Sequence, residues 1–241
     1  MNFGEAIAFL FDDEEWPGKL LVGAVITLIP IFGGAAVTGY AIALLRNVEA
    51  DRERPMPSWD RLGEYFVDGL LFWVATLIYS IPLLILICPL ALVWVLPAFA
   101  GDNQDLTAVL ASLAGIFSVG LGCLGLLYGL VLWVLTPVLQ IRYAETGKLG
   151  ACLDFGDVFR FLLDNAGSIL IAQVLVWAAS TATTLILGSV VGVFALIPIC
   201  GWIIAGLLGL LMIPVGVWVM LFAAHLYGQI GRQAAGGASP T

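Results

Sequence analysis

Four long stretches of this sequence, 20–45, 69–101, 106–141 and 166–231, contain no lysine, arginine, aspartate or glutamate. All nine basic and all seventeen acidic residues lie outside them. A helix needs about 20 apolar residues to cross a bilayer. Each stretch is long enough, and the last has room for two crossings. The same absence removes the side chains from which intramembrane ion relays and voltage sensors are built.

Other absences narrow the chemistry. There is one histidine, His225, so a bis-histidine haem site is excluded. The Ser/His/Asp constellation is missing, as are the phosphate-cradling GxxxxGK[ST] and the HExxH zinc signature. The four cysteines, Cys88, Cys123, Cys152 and Cys200, form no CxxC or Cys/His cluster, so neither a zinc site nor a disulfide framework is signalled. No cofactor or metal is expected, and the chain reads as non-enzymatic. Basic residues are few. The formal net charge of −8 and pI near 4.4 argue against nucleic acid and against a polybasic headgroup patch. The N-terminus has no basic region, and Asp12-Asp13-Glu14-Glu15 interrupts its apolar run, so it does not read as a signal peptide.

What remains is apolar. Hydrophobic residues make up 61% of the chain and charged ones 11%, where a soluble domain carries about 25% charged residues. The predicted fold is all-α: a polytopic transmembrane helical bundle of about five spans, with short amphipathic interfacial helices. Residues 1–231 form one membrane-embedded domain with spans near 19–45, 69–99, 106–140, 166–195 and 201–230. Residues 232–241 form a flexible tail. Four arginines in 46–68, three basic residues in 142–165 and Arg232 place those segments and the C-terminus on the cytoplasmic side of a cell membrane.

The first segment has two readings. Its length favours a single crossing with the acidic N-terminus outside. An internal echo favours re-entry with the N-terminus inside. Phe3-Gly4-Glu5 with Phe9-Leu10-Phe11-Asp12 matches Phe155-Gly156-Asp157 with Phe161-Leu162-Leu163-Asp164. A weaker copy is Leu62-Gly63-Glu64. Leu28-Ile29-Pro30-Ile31-Phe32-Gly33 likewise echoes Leu196-Ile197-Pro198-Ile199-Cys200-Gly201. The Phe-Gly-acid segments have apolar residues at helical spacing and read as interfacial lead-ins to the following span.

Small residues recur four apart at Ala35/Gly39, Gly125/Gly129, Gly188/Gly192 and Ala205/Gly209, a spacing that lets helices approach closely. They serve packing within the monomer or, alternatively, contact with another membrane protein or a second copy. Gln173, Ser180 and Thr184 fall roughly on one helical face inside a charge-free span. They mark either a solute path or an interhelical polar site. Ser and Thr hydroxyls can also satisfy themselves on the carbonyl one turn back. Pro57, Trp59 and Asp60 belong to a stiff elbow, Pro55-Met56-Pro57-Ser58-Trp59-Asp60, where a partner can dock.

Pro30, Gly39-Tyr40, Arg46, Met56-Pro57-Ser58-Trp59-Asp60, Gly63 and Phe66-Val67-Asp68-Gly69-Leu70 resemble the domain-of-unknown-function family 4013, with Met56 where a leucine is expected. The resemblance implies a multi-pass integral membrane protein of bacteria or archaea over roughly residues 1–230. It carries no assigned activity, so no catalytic residue transfers. The leading functional expectation is an accessory or scaffold component of a membrane assembly; the alternative is a passive carrier or channel for a neutral or lipidic solute. A third reading, an interfacial enzyme, would use Asp60, Glu64, Asp68, Asp154 or Asp157.

Overall fold

The computed structural model describes residues 3–101 and 103–237. They form nine α-helices: α1 (Phe3–Ala8), α2 (Trp16–Thr27), α3 (Phe32–Glu49), α4 (Leu62–Val93), α5 (Gln104–Thr146), α6 (Leu149–Cys152), α7 (Phe155–Ala195), α8 (Cys200–Gly209) and α9 (Met212–Gly237). No strand occurs among the described residues. Four helical stretches, Trp59–Pro89, Gln104–Thr146, Phe155–Ala195 and Cys200–Gly236, are long and apolar enough to cross a membrane. The protein is thus a membrane-embedded helical bundle. Its chain divides into two compact units, 1–73 with 137–241, and 74–136.

Residues 19–45 do not form one rod. They fold as a hairpin, α2 against α3, and their ends return to the same level. At about 1.5 Å per residue, α2 spans about 18 Å, short of a bilayer core. The reversal is local. Ile31 takes φ 64° and ψ −58°, and the Phe32 amide donates to the Pro30 carbonyl at 2.7 Å. This is the rare γ-turn of positive φ, a strained conformation for a β-branched residue. Ile199 repeats it, with φ 64°, ψ −75° and the Cys200 amide on the Pro198 carbonyl at 2.8 Å.

The next residue but one closes both turns. A Cβ on Gly33 would lie 1.9 Å from the Ile26 carbonyl oxygen, and one on Gly201 would lie 2.1 Å from that of Phe194. Only glycine fits so near the preceding helix. The two hexapeptides that echo each other in sequence therefore build the same turn. The helices after the turns differ: α3 runs on without a break, whereas α8 stops at Gly209 and continues as α9.

The lead-in helices also form. Asn165 departs from helical geometry (φ −118°, ψ 15°), which separates the amphipathic 155–164 from the span that follows. Asp154 caps this lead-in by accepting from the Asp157 amide at 3.2 Å. Val158 is buried while Phe155, Phe159 and Leu163 stay exposed, as a helix lying in an interface requires. Helix α9 runs through Arg232 to Gly237, and 238–241 lie outside the described residues.

The core of the first unit is α3. Thirteen of its eighteen residues are buried, from Gly33 to Val48. It crosses α4 at backbone contact: a Cβ on Gly39 would lie 1.8 Å from the Tyr65 carbonyl oxygen, and one on Gly69 would lie 1.8 Å from that of Ala35. The Ala35/Gly39 face is thus a packing face within the chain. In the second unit, Tyr128 donates to the Tyr79 carbonyl at 2.8 Å, tying α5 to α4.

Candidate functional site

Charge gathers where the charge-free stretches end. Arg46, in the last turn of α3, donates from Nη1 to Asp68 Oδ2 of α4 at 2.7 Å and from Nε to the Ala144 carbonyl of α5 at 3.0 Å. Its guanidinium lies 5.8 Å from the centre of the Tyr143 ring, and Tyr143 donates to the other Asp68 oxygen at 3.1 Å. One arginine thus joins three helices through charge-assisted hydrogen bonds and a cation–π contact. A neighbouring cleft of about 750 Å³ is lined by Arg46, Glu64, Val67, Asp68, Glu145 and Thr146, among others. Arg142 continues the layer, meeting Glu145 at 3.1 Å and Asp157 at 3.4 Å.

Glu49 sits at the close crossing of α3 and α9. A Cβ on Gly231 would press on its Oε1, which is buried and has no hydrogen-bond partner among the described residues. Burial, with repulsion from Glu145, raises its carboxyl to about 8, against the opposing pull of Arg46. It therefore holds a proton at neutral pH. The nearest formal cation on α9, Arg232, is engaged with Asp51 instead.

The elbow of Pro57, Trp59 and Asp60 packs on its own chain. Tyr40 donates to the Pro57 carbonyl at 2.7 Å, and Trp59 stacks on Tyr40 with ring centres 4.0 Å apart. The Trp59 indole donates to the Lys19 carbonyl at 2.9 Å, and Tyr65 meets both rings edge-on. Ser58 donates to Asp60 at 2.6 Å, at the exposed outer edge. The two prolines hold the segment extended, so the aromatic rings reach the α2–α3 hairpin.

Gln173, Ser180 and Thr184 are separated by their surroundings. Gln173 is buried and accepts a hydrogen bond from the Tyr227 hydroxyl of α9. Ser180 is half-buried and Thr184 exposed. Gln173 thus makes an interhelical bond, and its two companions lie further along α7. His225 is buried too: it stacks on Phe9 at 4.6 Å, and its Nδ1 lies 3.3 Å from Gln229 Nε2.

Sequence reasoning missed the Arg46–Asp68–Tyr143 node and the buried Glu49. A usable signal existed for the node. Arg46 directly follows a charge-free stretch, Asp68 directly precedes one, and Tyr143 lies two residues past another. Charges at the lips of spans lie in the same layer and can pair. Glu49 had no such signal. Cys152 is buried against the Leu139 carbonyl at 3.5 Å, and burial pushes its thiol up to about 11, so it is not a reactive nucleophile.

The family model of domain-of-unknown-function family 4013, described as a protein of unknown function, matches residues 22–192. That is more than half of the chain, and the protein belongs to this family. No curated protein and no solved structure shows significant similarity to it.

Proposed function

We propose that this member of family 4013 is a non-enzymatic component of a membrane assembly, and that α4 and α5 form the arm by which it holds another membrane protein. The supporting observation is the bareness of that arm. The bareness is greatest in α5, where only 6% of the most apolar window is buried within the chain, the least of the four candidate spans. Cβ atoms on Gly115, Gly120, Gly122 and Gly129 would meet no heavy atom within 4 Å. Small residues open along a membrane helix are what close approach of a second helix requires, since lipid supplies no hydrophobic drive.

Basic residues gather at the ends of the charge-free stretches. Lys19 meets Trp59, Arg46 meets Asp68, Arg142 and Arg160 meet Asp157, and Arg232 meets Asp51. The positive-inside rule makes these basic ends and the C-terminus cytoplasmic. Phe9 on His225 brings the N-terminal helix to the same side.

The test is purification from native membranes in gentle detergent. A stoichiometric membrane protein retained by the natural chain and lost on Gly122→Leu supports the reading. Recovery alone, with solute flux after reconstitution, favours the second reading, a passive carrier for a neutral or lipidic solute. That reading draws on an apolar groove between α2, α3 and α9.

A further inference from the structure

Inside the first unit, α2, α3 and α9 leave a cavity of about 440 Å³, lined by Thr38, Trp73, Met212, Ile213, Gly216 and Met220, with Thr27, Gly34, Val37 and Val217 completing the wall. Its lining is dry. Trp73 donates to Thr38 Oγ1 at 3.2 Å, Thr38 donates to the Gly34 carbonyl at 2.8 Å, and Thr27 donates to the Gly23 carbonyl at 2.8 Å. Every side-chain donor in the wall is thus already used. A water molecule needs two to four polar partners and would find few here.

We propose that this cavity is a binding site for one hydrocarbon tail of a membrane lipid. Three observations commit it to that occupant. The walls come from charge-free stretches of the sequence, so the mouth opens at bilayer depth, where hydrocarbon is what is available. Thr27 and Met212 in its wall adjoin Leu28 and Leu211 in the chain, both exposed and apolar, so lipid-facing surface begins next to the site. The site runs along α9 from Met212 to Met220, about 12 Å, a length that an extended hydrocarbon chain can follow. A single slender chain fits, and two unbranched methionines can adjust to it. Gly216 keeps the mouth open: it is exposed, and a Cβ there would meet nothing within 4 Å. The site binds a tail whether or not the protein carries anything.

The full chain would be reconstituted in phosphatidylcholine vesicles containing a phospholipid with a mid-chain diazirine, irradiated, and the labelled residues mapped. Labelling at Trp73, Met212 and Met220 saturates as the probe fraction rises, whereas labelling at the exposed Leu126 and Leu127 of α5 rises in proportion. Gly216→Leu, which plugs the mouth, lowers labelling of the cavity residues roughly tenfold, the change that about 1.4 kcal/mol of binding represents, and leaves α5 labelling unchanged. If Gly216→Leu fails to fold, Ile213→Trp fills the same space from another position in the wall. Cavity labelling that tracks α5 labelling, or that survives a folded plug variant, overturns the proposal.

Discussion

Helices α3 and α5 are both glycine-bearing, and they use glycine in opposite ways. In α3 glycine is where another backbone sits: at Gly39 there is no room for a single added carbon against Tyr65. In α5, Gly120, Gly122 and Gly129 face open space. Helix α3 is buried over most of its length, and α5 is almost bare along its most apolar window. The same residue type marks a finished contact in one helix and an available face in the other. Lipid covers apolar surface without cost, so a membrane helix need not be buried to be stable. Glycines left open along α5 leave a second helix room for close approach.

The sharpest way to break this comparison is to add the same side chain to both helices. Gly39→Leu should cost about 3 kcal/mol or more, because it overpacks against backbone, and should abolish a folded core in thermal unfolding in detergent. Gly129→Leu should stay within about 0.5 kcal/mol of the natural chain. Equal effects would contradict the distinction. Arg46→Met comes next. It strands the half-buried Asp68 and should lower stability by about 1–3 kcal/mol, less than a fully buried pair would. No measurable loss would show that the node does not hold α3, α4 and α5 together.

The protonated Glu49 gives a pH signature. Its folded value of about 8 lies above the unfolded 4.5, so its contribution is full below about pH 4.5 and lost as pH rises toward 8. The melting temperature of the natural chain should fall across that window, and Glu49→Gln should remove the fall. Asp13 does not confuse the reading. Burial alone would raise it, but Lys19 and the Glu15 amide outweigh burial and hold it below the usual range, so it titrates in more acid solution. A Glu49→Gln profile that still falls would refute the assignment. The smallest effect belongs to the elbow. Trp59→Phe keeps the stack on Tyr40 and loses the bond to Lys19, which should cost about 1 kcal/mol.

The absence of charge made the long helices legible, because membrane cost enforces it residue by residue. The paired Leu-Ile-Pro-Ile hexapeptides were legible as an echo, and they form the same γ-turn. The split of residues 19–45 into two helices was less so. Length suits one crossing, and the turn is set by Ile31, whose positive φ its own type disfavours. The glycine pairs show the limit best. Ala35/Gly39 and Gly188/Gly192 look alike in sequence, yet one is locked on α4 and the other meets nothing within 4 Å. Which neighbour faces a helix is a long-range property. The bond from Arg46 to Ala144, 98 residues away, has the same character.

The most direct test of the assembly account uses a thiol the arm already carries. Cys123 lies on α5 and is exposed. Cys88 and Cys200 are exposed as well, so both are first replaced by serine; treating native membranes that carry this chain with a thiol-reactive bifunctional cross-linker should yield one discrete adduct with a membrane protein. That adduct should be absent from Cys123→Ser and weakened by Gly122→Leu. A ladder of unspecific products unchanged by either substitution, or a chain that stays uncoupled while Cys123 is fully modified, would contradict the claim that this arm holds a partner.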